Sequence, residues 1–361
     1  MRIVVAMSGG VDSSTVAALL HEQGHEVIGV HMKLHDTPST AGGDGKHCCG
    51  YDDALDARNV ADQLGIPFYV MNLREAFQKA VVDNFVDAYK NGLTPNPCVN
   101  CNGVLKFDIL LKRAIALGAE KLATGHYARI EDGHLRSALD PAKDQSYFLW
   151  PIKPAAMEKT LFPLGGMTKP EVREHAARLG LVTADKPESQ EVCFIPDDNH
   201  ARLVQEMNPD LDGTGTIVDE EGKVLGHHDG YFRYTVGQRR GLGIALGKPA
   251  YVLRVEPESR QVVVGFDDRL QHLGLVAAGG SFSDRPDPSR RVFVRIRHRG
   301  GLVPCFIGPG ARFDVRFDEP ARAVSPGQSA VFYAEDRETV LGGATIVRAL
   351  EVQPELQLSA P

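Results

Sequence analysis

The chain has 361 residues, 43% of them hydrophobic, and its formal net charge is −7. That length exceeds what one hydrophobic core usually supports, so we expect two or three domains. No apolar run approaches the roughly 18 residues of a membrane span, and the first residues lack the order of a secretion signal. Six cysteines in so long a chain are typical of a reducing compartment rather than a disulfide scaffold. These features argue against membrane and secreted classes, and we expect a cytoplasmic protein.

The first third of the chain alternates apolar runs with helix patterns. Short apolar runs predict strands at 3–7, 26–32, 68–73 and 121–124. Helix patterns occupy stretches between them, at 14–23, 53–64 and 105–117. This alternation is typical of an α/β fold with a doubly wound parallel sheet.

A further helix is predicted near residue 170. Thr168 and Glu171 have the spacing of a capping box, and Pro170 lies in the first turn. The helix is expected to end at Gly180. We therefore expect the α/β region to extend to about residue 200.

The composition changes after the α/β region. Turn residues fill the stretch NPDLDGTG at 208–215, which predicts a linker. Beyond it, alternating segments bounded by glycine and proline are typical of a small β-barrel, and they lie at 291–297, 311–317 and 329–333. We expect an α/β domain, a small middle module and a C-terminal β-barrel, at 1–208, 209–271 and 272–361.

The stretch VVAMSGGVDSST, residues 4–15, connects the first predicted strand to the first predicted helix. Its turn, Ser8-Gly9-Gly10, would gather backbone N–H groups and the hydroxyls of Ser8, Ser13 and Ser14 at the start of the helix. Glycine lets the main chain approach an anion closely, and a helix N-terminus favours negative charge. Neither the Walker pattern nor the GxGxxG fingerprint occurs at this turn, which argues against a P-loop kinase, a GTPase and a dinucleotide-binding protein.

The string SGGVDSS after an N-terminal strand resembles the PP-loop of ATP pyrophosphatases. These enzymes cleave ATP between its α and β phosphates and activate a substrate as its adenylate. The resemblance implies that Asp12 helps to position Mg²⁺ with the pyrophosphate. It also implies that ATP is held by a run of eight residues, Ala6, Met7, Ser8, Gly9, Gly10, Val11, Asp12 and Ser13.

Cysteines elsewhere in the chain offer nucleophiles for an activated substrate. Cys98 and Cys101 lie in NGLTPNPCVNCN, residues 91–102, whose prolines and asparagines predict a loop without regular structure. Because thiolate is the attacking species, these cysteines need nearby positive charge, and Lys106 offers it. Cys193 lies in the stretch VCFIP, and taken alone it is typical of a small buried apolar residue.

Six motifs together resemble the family of tRNA-specific 2-thiouridylases, over nearly the full chain. They are the PP-loop, TPNPxxxCN at 94–102, GHYAR at 125–129, KDQSYFL at 143–149, the cysteine at 193 and YTVGQRRGLGI at 234–244.

This resemblance implies ATP-dependent 2-thiolation of the wobble uridine of tRNA, with release of AMP and pyrophosphate. ATP adenylates O2 of the uridine, and sulfur carried by Cys193 as a persulfide replaces the adenylate oxygen. Cys101 releases that sulfur through a transient disulfide. The implied catalytic residues are therefore Cys101, Cys193 and Asp12, and the reaction divides one hard substitution into activation and attack.

One departure from the family leaves a second sulfur route open. Many members carry aspartate where this chain has Cys98. Three thiolates, from Cys98, Cys101 and Cys193, also suit an iron–sulfur cluster with one open iron that holds sulfide. The persulfide route is ranked first, and the cluster is kept as the alternative.

The resemblance also implies binding residues. Met32 and Gly125 match positions that touch the nucleotide, and Asn96, Pro97 and Cys98 match the segment that contacts the target base. The remaining positions implied to contact tRNA are His126, Lys143, Asp144, Gln145, Arg297, His298 and Gln328.

The predicted barrel supports RNA binding independently. Strand alternation within RRVFVRIRHRG, residues 290–300, places apolar and basic side chains on opposite faces. The apolar face has Val292, Val294 and Ile296, and the basic face has Arg291, Arg295 and Arg297. Such a basic face suits contacts with a phosphate backbone, although arginines are also common on solvated strand faces.

The implied partners are the anticodon stem-loop of a tRNA and a sulfur donor, such as a cysteine desulfurase or a sulfur-relay protein, and we expect a monomer. Two other functions remain open. Another PP-loop adenylating ligase would not need Cys101 and Cys193. A non-catalytic, ATP-responsive RNA-binding protein would not need Asp12 or the cysteines. The sequence assigns no role to the adjacent Cys48 and Cys49.

Overall fold

The computed structural model describes residues 1–35, 51–187, 192–195 and 197–350, so Cys48 and Cys49 lie outside the described residues. Contacts divide the chain into two compact units. Unit 1 comprises 1–83, 97–199 and 338–340, and unit 2 comprises 84–96, 200–337 and 341–361. In the described part of the chain, no helix is both long and apolar enough to cross a bilayer.

Unit 1 is an α/β unit. Its strands are β1 Arg2–Ala6, β2 Glu26–Lys33, β3 Phe68–Asn72, β4 Lys121–Ala123, β5 Arg129–Glu131, β6 His134–Arg136 and β7 Thr160–Leu161. Five of them form a parallel sheet in the order β3-β2-β1-β4-β7, and β5 and β6 form an antiparallel hairpin. The predicted parallel sheet is confirmed. Its order changes direction between β1 and β4, which is where α/β sheets bind ligands at the carboxyl ends of their strands.

The α-helices lie between the strands in chain order. They are α1 Val11–Glu22, α2 Tyr51–Leu64, α3 Arg74–Phe77, α4 Asp83–Lys90, α5 Pro97–Asn100, α6 Leu111–Ala116, α7 Pro154–Met157, α8 Lys169–Arg178 and α9 His200–Met207. Wider π-type turns lie at Gln78–Val82 and Cys101–Leu110, and short 3₁₀ turns lie at Ser146–Phe148, Tyr231–Arg233 and Asp267–Leu270. The sequence patterns do not predict the helical stretch from α3 to α4.

The α8 prediction is confirmed in detail. Thr168 and Glu171 form the capping box, and Pro170 lies in the first turn. The helix ends just before Gly180, which has a φ of 61° in the left-handed region that favours glycine. The apolar face of α8 packs Val172 and Ala176 into the core around β1, so the start of the helix is held against the sheet.

The prediction of a loop over 91–102 is wrong for its second half. Helix α5 begins at Pro97, and helical turns continue through Cys101–Leu110 into α6. Proline is tolerated at a helix start, because the first turn has no partner for the N–H that proline lacks and its fixed φ suits the helix. Cys98 and Cys101 are therefore carried on helical backbone rather than on a loop.

Unit 2 contains two β structures. The strands are β8 Gly215–Val218, β9 Val224–His228, β10 Tyr251–Glu256, β11 Gln261–Gly265, β12 Gln271–Phe282, β13 Val292–Arg295, β14 Val303–Ile307, β15 Arg312–Arg322, β16 Ser329–Tyr333 and β17 Val340–Ala349. The first four form a sheet in the order β10-β11-β8-β9, and the other six form a closed barrel in the order β12-β15-β14-β13-β16-β17. The predicted β-barrel is confirmed. Val292, Val294 and Ile296 lie in its core, as the alternation predicts.

Candidate nucleotide and thiol site

The glycine turn lies between β1 and α1, at the carboxyl end of the parallel sheet. Gly9 has a φ of 81°, and a Cβ there would lie 2.2 Å from the backbone oxygen of Asp53, so only glycine fits. The Ser8 N–H donates to Ser13 Oγ at 3.1 Å, and that hydroxyl donates to the Gly10 oxygen at 3.2 Å. These hydrogen bonds fix the shape of the turn at the N-terminus of a 12-residue helix.

The neighbouring residues of the predicted nucleotide site lie on β1 and β2. Ala6 ends β1, and the Met7 backbone oxygen accepts a hydrogen bond from Nδ1 of the buried His31 at 2.9 Å. Met32 follows His31 on β2. Burial lowers the pKa of His31, so the imidazole is neutral and its Nδ1–H fixes the strand end that leads into the turn.

Asp12 is the acidic centre of the turn. Its Oδ1 accepts hydrogen bonds from the Tyr127 hydroxyl at 2.8 Å and from Lys169 Nζ at 2.7 Å. Lys169 is the first residue of α8 and only 8% exposed, and its ammonium lies 5.7 Å from the centre of the Tyr127 ring. A buried ammonium beside the start of α1 adds positive charge where an anion would bind.

Three consecutive residues after β4 link this turn to the helix that carries Cys101. A Cβ on Gly125 would lie 3.0 Å from the Ser13 nitrogen, so Gly125 lies directly against the start of α1. Tyr127 reaches Asp12, as described above. His126 Nε2 lies 3.2 Å from the Nζ of Lys106, and Lys106 follows Cys101 by five positions in the sequence. The continuous helical stretch 97–116, which carries Cys98, Cys101 and Lys106, is called the thiol helix below. The segment Gly125-His126-Tyr127 thus contacts the nucleotide turn on one side and the thiol helix on the other.

His126 is neutral in this arrangement. Its ring packs against Phe107 and Phe162, with ring centres 5.8 Å and 5.9 Å away. Burial, and then the charge of Lys106, hold the pKa of His126 well below its usual value of 6.5. Because an ammonium can only donate, Nε2 accepts from Lys106, and we assign the ring proton to Nδ1, which lies 2.7 Å from the Thr124 hydroxyl.

The thiol of Cys101 is protonated at neutral pH in this structure. Burial raises its pKa to about 12, Lys106 acts in the opposite direction, and the neighbouring Cys193 and Cys98 add to the increase. The interaction of all three sulfurs indicates that they share one neighbourhood. Cys98, Cys101 and Cys193 are all thiols, and Cys98 is exposed while the other two are partly buried. Attack by Cys101 therefore requires removal of a proton when substrate arrives.

The three cysteines do not fit a metal cluster as placed. Within residues 1–35, 51–187, 192–195 and 197–350, no group of three His, Cys, Asp or Glu side chains is arranged to hold a metal ion. An iron–sulfur cluster needs converging thiolates. Phe194, next to Cys193, packs edge-on against Phe77, with ring centres 5.6 Å apart.

Several residues expected to contact tRNA are used inside unit 1. Asp144 is 5% exposed, and its Oδ1 accepts the backbone N–H groups of Ala138 and Ser146, each at 3.1 Å. Gln145 pairs with the Tyr127 backbone, accepting its N–H at 3.0 Å and donating to its oxygen at 2.9 Å. Asp144 and Gln145 therefore shape the KDQSYFL stretch, while the neighbouring Lys143 is partly exposed.

The expected tRNA contacts of unit 2 are also engaged within that unit. The Arg297 guanidinium donates to the backbone oxygens of Arg322 and Ala323. Gln328 Nε2 donates to backbone oxygens in the 84–96 segment, which ends at Asn96. His298 is partly buried.

Sequence reasoning missed Tyr127 and Lys169 as neighbours of Asp12 in the candidate nucleotide site. They lie 115 and 157 positions from Asp12 in sequence, so no local spacing connects them. A signal for Lys169 existed in the capping box, because a cation at the first position of a helix opposes the helix dipole and needs an acidic partner. Tyr127 lay inside the GHYAR motif without an assigned role.

Three protein-family models match the chain. They are described as "tRNA methyl transferase HUP domain" over residues 1–197, "tRNA methyl transferase PRC-barrel domain" over 203–266 and "Aminomethyltransferase beta-barrel domain" over 276–346. The first covers more than half of the chain.

Curated relatives align with almost the whole chain. A protein of Geobacter metallireducens named "tRNA-specific 2-thiouridylase MnmA" is 51% identical over 360 residues, which covers 97% of this chain and 97% of the relative. A protein of Heliobacterium modesticaldum with the same name is 46% identical over 372 residues, which covers 99% and 96%. Among solved structures, a 4-thiouridine synthetase–RNA complex with bound ATP is 19% identical with a TM-score of 0.35, and covers 58% of this chain and 50% of that chain.

Proposed function

The chain belongs to the family of tRNA-specific 2-thiouridylases, and from this premise we propose that it transfers sulfur to C2 of the wobble uridine of tRNA at the expense of ATP. The observation that carries the proposal is the link through Gly125, His126 and Tyr127. These three residues contact the start of α1, Lys106 of the thiol helix and Asp12. A nucleotide and a thiol that act on one base need such a connection.

The nucleotide end of the site activates the uridine. O2 of the uridine attacks the α-phosphorus of ATP, an O–P bond forms, and the bond to pyrophosphate breaks. The N–H groups of the turn and the Lys169 ammonium hold the departing pyrophosphate. Both hydrogen bonds to Asp12 fall on Oδ1, so Oδ2 is the oxygen that would hold Mg²⁺. When bound, Mg²⁺ would neutralise charge on the phosphates.

The thiol end then replaces oxygen by sulfur. The terminal sulfur of a Cys193 persulfide attacks C2, and AMP departs with the C2–O bond pair. Cys101 attacks the Sγ of Cys193, a Cys101–Cys193 disulfide forms, and the base keeps the transferred sulfur with its bond electrons. A thiol reductant supplies the two electrons that return the disulfide to two thiols.

Lys106 and His126 prepare Cys101 for this attack. The Lys106 ammonium lowers the pKa of the Cys101 thiol against the effect of burial. His126 holds that ammonium through Nε2, and Thr124 orients the His126 ring. In this proposal His126 serves the thiol through Lys106, in addition to any contact with RNA.

RNA recognition is assigned to both units. We place the target base at Asn96, Pro97 and Cys98, and further tRNA contacts at the barrel residues Arg297 and His298. Anticodon bases are recognised when they are splayed out of the loop, and a splayed base is what adenylation at the glycine turn requires. The division into an α/β domain, a middle module and a barrel, at 1–208, 209–271 and 272–361, belongs to this proposal.

The proposal includes an upstream sulfur donor. A persulfide on Cys193 requires a cysteine desulfurase or a sulfur-relay protein, because free sulfide lacks the oxidation level of persulfide sulfur. We propose that the protein acts as a monomer in the cytoplasm, where tRNA and such donors occur.

The test is nucleoside mass spectrometry of tRNA after incubation with ATP, Mg²⁺, cysteine and a cysteine desulfurase. We expect one 2-thiouridine at the wobble position for each AMP and each pyrophosphate released. Cys101→Ser and Cys193→Ser should abolish thiolation, whereas Cys305→Ser, at a barrel cysteine, should not.

Other products would contradict the proposal. Adenylation followed by an amide or amine product would identify another PP-loop ligase. Tight tRNA binding with neither AMP nor modified base would identify a non-catalytic RNA-binding protein. Persistence of 2-thiouridine with Cys101→Ser would refute the disulfide step.

A further inference from the structure

The segment 84–96 precedes the thiol helix in the chain but belongs to unit 2 by its contacts. The Tyr231 hydroxyl donates to the Lys90 oxygen at 2.8 Å. Gly92 has a φ of 68°, and a Cβ there would lie 2.9 Å from the Pro257 side chain. The segment is thus fixed to the middle part of unit 2 at two successive points before it reaches Thr94.

The end of this segment is fixed by the barrel. The Thr94 N–H donates to the Pro326 oxygen at 2.8 Å. Gln328 Nε2 donates to the Thr94 oxygen at 3.0 Å and to the Pro95 oxygen at 3.3 Å. Gly327 has a φ of 91°, and a Cβ there would lie 2.9 Å from both the nitrogen and the oxygen of Thr94. The backbone of Gly327 thus packs directly against the backbone of Thr94, and the Gln328 amide adds hydrogen bonds beside this contact.

Gln328 is itself rigidly held. The Gly327 N–H donates to the Ile346 oxygen and the Ile346 N–H donates to the Gln328 oxygen, both at 2.8 Å. Gln328 directly precedes β16 of the closed barrel, and Ile346 lies on β17. Because these hydrogen bonds fix the backbone at Gln328, its side-chain amide can hold the groups that it binds in a defined position.

The end of the segment has few backbone N–H groups with which it could form other hydrogen bonds. Pro95 and Pro97 lack N–H groups, so the stretch from Pro95 to Pro97 has a single backbone donor, at Asn96. Backbone oxygens without partners are costly when water is excluded, and the Gln328 amide satisfies two of them. Asn96 continues by one peptide bond into Pro97, the first residue of α5, which carries Cys98.

We propose that Gln328 is a positioning residue for the reaction, which sets the start of the thiol helix by holding the Thr94 and Pro95 oxygens. This role differs from the direct tRNA contact that the family resemblance implies for Gln328. The inference rests on the proposed thiolation, since its effect is read in that reaction. Its structural part, the attachment of Thr94, is measurable without any reaction.

The experiment compares Gln328→Ala and the isosteric Gln328→Glu with a matched control, Gln205→Ala. Gln205 also lies in unit 2, and its Nε2 also donates to backbone oxygens of a turn, those of Asn208, Pro209 and Leu211. Three quantities are measured: the Kd for unmodified tRNA, the single-turnover rate of 2-thiouridine formation at saturating tRNA with persulfide-loaded protein, and hydrogen exchange at the Thr94 amide.

We expect both Gln328 variants to lower the single-turnover rate by about tenfold or more, because small displacements of reacting groups have effects of this size. The Kd for tRNA should change by less than about twofold, and exchange at Thr94 should accelerate by about tenfold relative to wild type and Gln205→Ala. A weakened Kd with an unchanged saturated rate would overturn the inference in favour of a direct RNA contact. Unchanged rate and unchanged exchange would also overturn it.

Two controls keep the result interpretable. If wild-type protein forms no 2-thiouridine, the proposed function fails, and exchange at Thr94 alone then decides whether Gln328 holds the segment. If Gln328→Ala does not fold, Gln328→Glu removes the donors without a change of size, and the same three outcomes apply. Loss of rate in Gln205→Ala as well would show a general effect of unit 2 and would refute the specific role of Gln328.

Discussion

The nucleotide turn of unit 1 and the exposed Arg291 on the barrel of unit 2 handle charge in opposite ways. At the turn, the Lys169 ammonium is 8% exposed and bonded to the partly buried Asp12. On the barrel, Arg291 pairs with Asp318 at 2.7 Å, but the arginine side chain is 56% exposed. Water competes weakly at the first pair and strongly at the second. The same kind of ion pair is therefore part of a site in one region and an adjustable surface feature in the other.

The two regions also differ in how freely their groups can move. Gly9 lies so close to Asp53 that no side chain fits, whereas the exposed side chain of Arg291 can turn toward a new partner. A site that stabilises developing charge needs groups fixed in advance, and a surface that follows an RNA backbone needs mobile cations. This contrast predicts which substitutions have large effects.

The largest effect is expected for Lys169→Met. Loss of the buried ammonium removes the positive charge that would stabilise the departing pyrophosphate. We expect pyrophosphate release to slow by about 100-fold, or roughly 3 kcal/mol of activation free energy. The control is Arg178→Ala on the same helix, whose pair with Glu22 is exposed. The measurement is the rate of pyrophosphate release with tRNA and ATP. Equal effects of the two substitutions would remove the distinction between buried and exposed pairs.

The next effect, on stability and ATP binding together, is expected for Gly9→Ala. Gly9 and Gly24 both have left-handed φ, at 81° and 78°, but a Cβ on Gly24 meets nothing within 4 Å. Gly24→Ala should cost about 1 kcal/mol from backbone strain alone. Gly9→Ala should cost about 2 kcal/mol more, because the Asp53 backbone must move, and it should weaken ATP binding. Denaturant unfolding and ATP titration test this, and identical behaviour of the pair would contradict it.

Acid should destabilise unit 1 through its buried imidazoles. The pKa values of His31 and His126 are lowered from 6.5, so the unfolded chain binds more protons than the folded chain below that pH. Stability from these groups is complete above about pH 6.5 and is lost as the pH falls through 6.5 toward the lower folded values. We expect Tm to fall between about pH 7.5 and 5.5. His126→Asn should make that fall shallower, and an unchanged slope would contradict the assignment.

The smallest effect is expected for Arg291→Ala on the barrel. Its exposed pair with Asp318 should contribute less than about 1 kcal/mol to stability. If the arginine turns to a tRNA phosphate, the affinity should fall modestly and the slope of log K against log salt should decrease by about one. Tm and tRNA binding at several salt concentrations measure both quantities. An unchanged salt slope would remove Arg291 from the RNA surface.

Much of the framework could be predicted because it depends on local patterns. The strand, turn and helix around Ser8-Gly9-Gly10 follow from a short apolar run, two glycines and a helix pattern. The capping box at Thr168 places α8, and alternation places Val292 and Val294 in the barrel core. Each of these features is decided by residues within a few positions of one another.

The rest depends on contacts between distant parts of the chain. Lys169 and Tyr127 reach Asp12 only after the sheet has formed, so spacing in sequence did not reveal them. Pro97 is one of the prolines that predict a loop over 91–102, although proline at a helix start favours the helix. Nothing in the composition of 84–96 shows that these residues pack with unit 2.

The crossing of the chain between the two units also bears on how the protein is made. Residues 338–340 belong to unit 1, where the Glu338 carboxylate bonds Arg129 at 2.7 Å and Arg136 at 3.1 Å. A ribosome delivers these residues only after the whole of 200–337, most of unit 2, has been synthesised. The α/β unit therefore gains these contacts only after those residues of unit 2 have been made, and nascent chains released before residue 338 lack them. Premature termination should thus yield fragments that proteases remove rather than partial enzymes that bind tRNA unproductively.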